Sequence, residues 1–415
     1  MTMFRLKHAI IICALAVAPL LTVAAHAATY YVATTGSDSN PGTEKQPWRT
    51  IAYAVTTMIA GDTTYVKAGT YDEREIRFRR SGTQSAQMRL LNAPGESPVI
   101  QCIHPNPPLF HRVLIQHSSG IEHAIGWITI EGFEIRNCWD GIKMYSGHNI
   151  TIRRNWIHNN TSQGILGTGT RNLVDRNIIN HNGPFVTNPT ANGSHGIYVN
   201  GTAWTITNNL IYDNLGYGIQ MNGSHSSLYD PTRHAGPEFA LAENWVVAHN
   251  TIAYQKNRSG MVVWGSTCNN ARIENNIFYE NAVTLDPGSP QGIAFLSTCT
   301  GLQIRNNHFY ATAPGGTIAL GLGATENVHY AQSGNIINVS PPGFVNAPAT
   351  LPASPNFSLT ERSPVIDKGS SLDAPRTSFD GTPRPQRRAP DIGAYEYSGD
   401  SDTKGPVAPV ALQVR

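Results

Sequence analysis

The sequence predicts an all-β solenoid with three short strands in each coil. Three observations predict it: a recurring phrase, the short length of each repeat, and a chain with 38 glycines and 27 prolines among 415 residues, which suits frequent turns. The phrase is clearest where HGIYVNG (195–201) is followed by YGIQMNG (217–223). The shortest repeats span about 22 residues, a length that accommodates three strands with period-2 alternation but hardly a helix and a strand.

Residues 1–27 predict a signal peptide. Arg5, Lys7 and His8 precede an apolar run, and Ala25-His26-Ala27 provides a cleavage site. We therefore expect a secreted chain, extracellular or periplasmic, with no membrane span after cleavage. Only 14% of the residues are charged and the net charge is +2, so no strong electrostatic field favours a nucleic-acid partner.

The region 28–340 is predicted to contain an N-terminal cap followed by the coils, seven to nine of them by the repeat count. One column of the repeat is always asparagine, where the chain must bend between two strands. Asparagine tolerates the left-handed conformation that such a bend requires, and its amide can bond to the identical amide of the next coil. The predicted ladder consists of Asn155, Asn177, Asn209, Asn250, Asn276 and Asn307.

The coils, of which NITIRRNWIHNN (149–160) is typical, resemble the right-handed parallel β-helix of the pectate lyase-like superfamily. YYVATTGSDSNPGTEKQPWRTIAYAV (30–55) is similar to the cap that precedes such helices, and the stretch ending in PDIGAYEY (390–397) is similar to the tail of secreted bacterial members. The resemblance implies a single-stranded right-handed parallel β-helix with a C-terminal extension at 341–397 that packs on the last coils. We expect residues 398–415 to be disordered.

In the family that this chain resembles, substrates lie along the sheet built from the Gly-Ile strands. The period-2 alternation of the side chains identifies the same sheet, because it points Ile197 and Val199 inward and Tyr198 and Asn200 outward. Two long insertions, 184–194 and 224–243, are predicted to wall a groove above this sheet. The outward column that follows Gly-Ile is polar early and apolar late, which favours a site in its first half: Lys143, Leu166, Tyr198, Gln220, Val262 and Ala294.

These residues suggest β-elimination on an acidic, uronic-acid-containing polysaccharide. Such a reaction needs a group that neutralises the carboxylate, a base for the C5 proton and an acid for the leaving oxygen. We assign Lys143 or His195 as base, Tyr198 as acid, and Arg233 with Asn200 or Asn222 as the carboxylate-binding groups. The further substrate-binding candidates are Asp140, Gln220, Tyr229 and His234.

The sequence gives less support to a calcium-dependent lyase or to a hydrolase. Calcium-dependent lyases of this fold cluster aspartates near a strand lysine, whereas Asp140 and Lys143 form the only such pair on the sheet. Hydrolases need paired carboxylates, and Asp140 is the lone carboxylate in these columns. We therefore expect no cofactor, since Ca²⁺ has no acidic cluster to hold it. A metal-free lyase or, less favoured, an epimerase remains, and we expect the chain to be a monomer. The rival hypothesis is a non-catalytic extracellular glycan-binding, structural or adhesion protein, which needs only aromatic rings and amides.

Two features of neighbouring coils predict covalent or ionic contacts. Cys268 and Cys299 each follow Ser-Thr and lie one coil apart, within the Cα separation of about 4.4–6.8 Å that a disulfide requires. The sequence leaves open whether Cys102 and Cys138 pair. The predicted ion pairs on adjacent coils are Arg153 with Asp175 and Glu274 with Arg305.

Overall fold

The computed structural model describes residues 27–102, 113–116, 123–183, 193–223, 242–282, 291–312, 320–321 and 328–399. The strands of the coils pair in parallel from one coil to the next, as expected of a parallel β-helix. The predicted signal peptide lies almost wholly outside the described residues. None of the helices within them is long and apolar enough to cross a membrane.

The coils present three faces, here called face 1, face 2 and face 3. Face 1 contains the Gly-Ile strands and the strands stacked in line with them: β4 (Ile76–Phe78), β7 (Val113–Ile115), β12 (Ile165–Thr170), β15 (Ile197–Thr202), β18 (Ile219–Asn222), β22 (Met261–Asn269) and β27 (Leu320–Gly321). Two long strands run from face 1 into face 2: β10 (Ile142–Arg153) and β25 (Ile293–Arg305).

Face 2 and face 3 complete each coil. Face 2 contains β1 (Thr29–Val32), β2 (Thr63–Val66), β5 (Met88–Asn92), β8 (Ile125–Glu131), β13 (Leu173–Asp175), β16 (Thr205–Thr207), β20 (Val246–Ala248), β23 (Arg272–Glu274) and β28 (Val328–Ser333). The short strand β19 (Ala242–Glu243) pairs with the end of β15 and so belongs to face 1. Face 3 contains β3 (Gly69–Asp72), β6 (Pro98–Gln101), β9 (Glu134–Arg136), β11 (Trp156–His158), β14 (Ile178–Asn180), β17 (Leu210–Tyr212), β21 (Thr251–Ala253), β24 (Ile277–Tyr279), β26 (His308–Tyr310) and β29 (Ile336–Ile337).

Within the described part of the chain, face 3 has ten strands in one stack, one from each coil, which exceeds the seven to nine coils that the repeat count predicted. The difference arises at the N-terminal end. The coils of β3 and β6 lack the Gly-Ile phrase, yet their strands pair in register, with Gly69 beside Pro98 and Asp72 beside Gln101. Burial of an apolar face, rather than the phrase itself, is what a coil needs in order to stack.

The single helix among the described residues, α1 (Ile51–Thr57), covers the first coil. Its Thr50 side chain accepts a hydrogen bond from the Tyr53 amide, and Ile51, Ala54 and Val55 are buried beneath it. The carboxylate of Asp38 accepts hydrogen bonds from the amides of Arg49 and Thr50, each at 2.9 Å. The GSDSNPGT turn (36–43) thus anchors the start of the capping helix.

The inner column of face 1 confirms the predicted alternation. Each member pairs with the next in register, and all are fully buried: Ile142, Ile165, Ile197, Ile219, Met261 and Ile293. Continuous stacking of apolar side chains along the solenoid axis forms one hydrophobic core.

The asparagine column forms the predicted ladder, but with a different backbone role. Asn177 Nδ2 donates to Asn209 Oδ1 at 3.0 Å, and Asn209 Nδ2 donates to Asn250 Oδ1 at 2.9 Å. The left-handed residue at each bend is the one before the ladder residue, for example Arg176 (φ 56°) and Asn208 (φ 56°). The ladder asparagines are therefore explained by their amides, which bond along the stack, and not by tolerance of positive φ.

A second amide ladder, which the sequence analysis did not predict, lies at the bend from face 3 to face 1. Asn160 Nδ2 donates to Asn182 Oδ1, and Asn182 Nδ2 donates to Asn214 Oδ1, both at 2.9 Å. Gln255 continues the series, and its Oε1 accepts from Asn214 at 3.2 Å. This ladder fixes the backbone directly before the Gly-Ile strands of face 1.

Two disulfides connect coils. Cys268 and Cys299 are bonded with their Cα atoms 4.5 Å apart, and they are register partners on β22 and β25. Cys102 and Cys138, whose pairing the sequence left open, are also bonded, with Cα atoms 4.8 Å apart.

The double variant Cys268→Ala/Cys299→Ala should lose about 2–4 kcal/mol of unfolding free energy, because the bond restricts the unfolded chain over a long loop. The loop spans 31 residues. Urea denaturation of the variant and the unaltered chain would measure the loss. Under dithiothreitol the two proteins should become nearly equal; a difference that persists unchanged would mean that lost packing, not the bond, destabilises the variant.

The predicted ion pairs on adjacent coils are wrong in their partners. Arg153 lies beside Asp175 in register, but its guanidinium pairs with Glu131 of the preceding coil at 2.7 Å. Asp175 instead pairs with its neighbour Arg176 at 2.9 Å. Register fixes which Cα atoms are adjacent, whereas long side chains can reach either neighbouring coil.

The predicted Glu274–Arg305 pair is also replaced. Glu274 is buried, and the nearest guanidinium nitrogen is that of Arg272 at 3.7 Å from its carboxylate. Arg272 itself pairs with Asp373 of the C-terminal extension. Burial, and then the neighbouring Asp373 carboxylate, raise the pKa of Glu274 to about 7.

Glu274 should therefore make the fold less stable as the pH rises. Because its folded-state pKa is raised, its stabilising contribution is complete below pH 4.5 and is lost as the pH rises through about 7. Glu274→Gln should raise the unfolding free energy at pH 8 by on the order of 2–3 kcal/mol and have little effect near pH 5. Urea denaturation at both pH values measures this, with the exposed Glu361→Gln as control. An equal effect of Glu274→Gln at both pH values would contradict the prediction.

The C-terminal extension runs back along the helix rather than covering only its last coils. Its Lys368 carbonyl accepts from Asn306 Nδ2, and the Gly393 amide donates to the Asn275 carbonyl. Further along the stack, Thr377 contacts both Arg176 and Asn208. Its antiparallel hairpin, β30 (Phe344–Asn346) with β31 (Asn356–Leu359), packs outside face 3.

Candidate functional site

Face 1 carries two outward columns that could bind a ligand. The first is the predicted one, and its members pair in register from coil to coil: Lys143, Leu166, Tyr198, Gln220, Val262 and Ala294. The second lies two residues further along each strand: Thr168, Asn200, Asn222, Trp264 and Leu296. The two columns are most polar on β15 and β18, where every member carries a polar side chain.

Five residues on and beside these strands form what we call the Tyr198 cluster: His195, Tyr198, Asn200, Gln220 and Asn222. The Asn222 amide donates to the Tyr198 hydroxyl at 3.4 Å. The His195 ring meets the Tyr198 ring edge-to-face, with centroids 5.4 Å apart. Gln220 is the register partner of Tyr198 on the next coil. The structure thus brings five of the sequence-predicted residues together.

The amides of Asn200 and Asn222 are fully buried and incompletely paired. Neither polar atom of the Asn200 side chain has a hydrogen-bond partner, and the Asn222 Oδ1 also lacks one. Buried polar groups without partners cost roughly 1–3 kcal/mol each, so most buried side chains in proteins are paired. An orphaned amide next to a tyrosine hydroxyl suggests that a ligand or an ordered water completes the hydrogen bonding here.

His195 is neutral in this environment and has a defined tautomer. Its Nδ1 accepts a hydrogen bond from the Tyr217 amide at 3.0 Å, so the ring hydrogen lies on Nε2. Burial, and to a smaller extent Arg258, lowers the pKa of His195 to about 3. The Nε2–H group is therefore a hydrogen-bond donor at neutral pH. To act as a base, His195 would first have to release the Tyr217 amide.

Lys143 lies two coils before Tyr198, separated from it by Leu166. Its ammonium is 3.9 Å from the buried Asp140 carboxylate and 5.1 Å from the centroid of the Tyr145 ring. The backbone N–H of Gln163 also donates to the Asp140 carboxylate, at 3.4 Å. Asp140 and Lys143 thus form a second polar group on face 1, distinct from the Tyr198 cluster.

Three sequence-predicted residues, Tyr229, Arg233 and His234, lie outside the described residues, as do most of the two long insertions. Among the described residues, a cation beside the cluster is Arg258, which the sequence analysis did not select. Its guanidinium lies 6.0 Å from the centroid of the Tyr217 ring. Its position could have indicated it, because Arg258 directly precedes Ser259, which is equivalent to His195 two coils earlier.

Trp264 is the other residue that the sequence analysis missed. It is the register partner of Asn222, and 45% of its surface is exposed. A large exposed ring beside buried amides is a typical platform for a sugar ring. Among the described residues, no three His, Cys, Asp or Glu side chains are grouped closely enough to hold a metal ion.

Comparison with known proteins identifies the fold. A family model described as Pel9A-like, right handed beta helix region matches residues 30–193, and one described as right handed beta helix region matches residues 188–332. Among solved structures, pectate lyase Pel9A superposes with a TM-score of 0.56 at 16% identity, covering 89% of this chain and 96% of that one. A rhamnogalacturonan lyase gives a TM-score of 0.52 at 14% identity, covering 80% and 96%.

Two curated relatives share shorter segments. Pectate lyase PEL9 of Emericella nidulans is 41% identical over 75 residues, which is 18% of this chain and 18% of that protein. Protein YwoF of Bacillus subtilis is 31% identical over 105 residues, covering 25% and 22%. The chain therefore spans about a fifth of the length of these relatives.

Proposed function

Because this chain belongs to the pectate lyase-like superfamily of right-handed parallel β-helices, we propose that it is a secreted, carbohydrate-active protein. More concretely, we propose that it cleaves an acidic, uronic-acid-containing polysaccharide by β-elimination. Pectate lyase PEL9 and the rhamnogalacturonan lyase, by their names, act on polymers of this class. The observation that carries the proposal is the unpaired Asn200 side chain, in register with Asn222, whose side-chain amide donates to the Tyr198 hydroxyl.

In the proposed reaction the substrate lies along face 1 across the Tyr198 cluster. A base removes the C5 proton, the electron pair forms the C4=C5 double bond, and the C4–O4 bond breaks. The Tyr198 hydroxyl gives its proton to the departing O4. The amide N–H groups of Asn200 and Asn222 bind the uronate carboxylate, whose negative charge increases as C5 loses its proton.

We favour Lys143 over His195 as the base. The Nδ1 of His195 already accepts the Tyr217 amide hydrogen, whereas Lys143 lies on the same outward column as Tyr198. The Cα atoms of Lys143 and Tyr198 are two coils apart, about 9.6 Å, so the lysine must extend along the sheet towards the sugar. To act as the base, Lys143 must also leave the Asp140 carboxylate and lose its ammonium proton. Because Asn200 and Asn222 are fully buried, substrate entry also requires an opening motion.

The test is an ultraviolet assay for the unsaturated uronate product. The purified chain is incubated with polygalacturonate, rhamnogalacturonan, alginate and glucuronan, with calcium and with chelator. Rising absorbance on one of them would support the lyase proposal. New reducing ends without absorbance would indicate hydrolysis, and neither signal on any polymer would contradict catalysis on this substrate class.

A non-catalytic glycan-binding protein is the second candidate. The exposed Trp264 ring next to the Asn222 amide favours it, because stacking and amide hydrogen bonds need no base. Affinity gel electrophoresis with the same polymers separates the two functions. Retarded migration that is reduced by Trp264→Ala, without any product, would indicate binding alone.

A further inference from the structure

A cavity of about 520 Å³ lies between face 3 and the C-terminal extension. One wall consists of Tyr279 and Tyr310, which are register partners on β24 and β26. The opposite wall is the extension segment 341–349, which includes Phe344 and Val345. This volume is in the range of small-molecule sites, about 300–1,000 Å³. The cavity is on a different face from the Tyr198 cluster.

The aromatic rings of the cavity form an ordered group. Tyr279 stacks on Tyr310 with ring centroids 6.1 Å apart and planes inclined by 21°. Phe344 meets Tyr279 edge-to-face at 5.5 Å. Tyr279 is almost completely buried, whereas Tyr310 and Phe344 are partly exposed. The two partly exposed rings can therefore contact a ligand while Tyr279 supports them from behind.

The extension wall is held in place before any ligand arrives. The Tyr279 hydroxyl donates to the Ala347 carbonyl at 3.0 Å, and the Tyr254 hydroxyl donates to the Pro348 carbonyl. On the other side, Thr360 donates to the Gly343 carbonyl through both its amide and its hydroxyl, each at 2.9 Å. A wall that is already fixed reduces the conformational entropy that a ligand would have to remove on binding.

The charge pattern specifies the ligand class. None of the twelve described residues that line the cavity carries a charge. A carboxylate lies directly behind one of them, because Glu280 accepts hydrogen bonds from the amide and hydroxyl of Thr312 at 3.0–3.1 Å. These residues offer no cation to an anionic ligand, and the nearby Glu280 carboxylate would repel it. The lining therefore suits an uncharged molecule.

We propose that this cavity, the aromatic cavity, binds a neutral oligosaccharide. Partly exposed aromatic rings stack on the apolar faces of sugar rings, and Asn346 and Thr312 supply uncharged hydrogen-bonding groups at the rim. The inference does not depend on the proposed lyase activity. It gives the molecule two glycan sites of different chemistry, one for an acidic polymer on face 1 and one for an uncharged polymer beside face 3.

The test measures calorimetric binding of cellohexaose, xylohexaose, mannohexaose and galactohexaose to the full chain. At least one of them should bind saturably, and Tyr310→Ala should weaken that binding roughly tenfold or more, equivalent to about 1.4 kcal/mol. Val345→Arg provides a second variant. The arginine side chain should obstruct the opening of the aromatic cavity, and the core should stay intact because Val345 is 38% exposed. Tyr53→Ala, an exposed tyrosine on α1, is the matched control and should bind normally.

Tyr198→Phe separates the two sites. Binding of the neutral oligosaccharide should persist in Tyr198→Phe even where the face 1 reaction is lost. If Tyr198→Phe abolishes binding while Tyr310→Ala and Val345→Arg leave it unchanged, the ligand occupies face 1 and the proposal is wrong. The proposal is likewise overturned if none of the four oligosaccharides binds the unaltered chain.

Discussion

Tyr198→Phe is expected to reduce the rate of β-elimination by about 10²–10⁴-fold, the usual contribution of a general acid. Phenylalanine retains the ring and its edge-to-face contact with His195, but it removes the hydroxyl that accepts the Asn222 hydrogen bond. Since the proton is transferred in the transition state, kcat should fall while KM changes little. Initial rates of ultraviolet absorbance over a range of polymer concentrations give both constants.

Tyr330→Phe is the matched control for this variant. Tyr330 is 38% exposed and lies on β28, the last strand of face 2, so removal of its hydroxyl should leave kcat unchanged. Thermal unfolding of both variants should confirm that each retains its fold. If Tyr198→Phe turns over substrate at the rate of the unaltered chain, Tyr198 is not the acid, and the proposed assignment of roles on face 1 fails.

The coils could be predicted from the sequence because each of them repeats the same pattern of buried apolar and hydrogen-bonding residues. The recurring Gly-Ile phrase identified the buried column that contains Ile197 and Ile219, and the recurring asparagine identified the ladder through Asn209. Repetition also supplied the register, so Tyr198 could be placed beside Gln220 without a structure. The second amide ladder was harder to find, because Gln255 interrupts its run of asparagines.

Contacts that do not repeat could not be predicted in this way. The C-terminal extension contacts the coils through single residues far apart in sequence, such as Arg384 and Asn208, which are 176 residues apart. Such contacts leave no periodic signal. The aromatic cavity was missed for the same reason, because one of its walls belongs to the extension.

The chemical state of the candidate site also depends on the folded environment. The sequence identifies His195 as a candidate base, but only the structure shows its Nδ1 bonded to the Tyr217 amide. Likewise, sequence alternation points Asn200 outward without revealing that its amide is buried and unpaired. Residue types were therefore predictable at this site, whereas protonation and hydrogen bonding were not.

Arg384 is the residue of the C-terminal extension whose loss should destabilise the fold most. Its side chain is fully buried and pairs with the equally buried Glu396 at 3.1 Å. It also donates to Asn208 Oδ1 on the coils and to the carbonyls of Gly393 and Ala394. Burial lowers the pKa of Arg384 to about 10, against the opposing effect of Glu396, so the guanidinium is still charged at neutral pH.

Arg384→Met should lower the unfolding free energy by about 3–5 kcal/mol, because it leaves the Glu396 carboxylate buried without its counter-ion. Urea denaturation measures the loss, and hydrogen exchange shows whether the extension opens before the coils. The exposed Arg388→Met is the matched control and should stay within about 0.5 kcal/mol of the unaltered chain.

The double variant Arg384→Met/Glu396→Leu distinguishes charge from packing. If the unpaired carboxylate causes the loss, removal of Glu396 should restore much of the stability, since an apolar pair can replace a buried ion pair at little cost. If the double variant is as unstable as Arg384→Met, the hydrogen bonds from Arg384 to Asn208, Gly393 and Ala394 are what hold the extension on the coils. An Arg384→Met variant as stable as the unaltered chain would exclude both explanations.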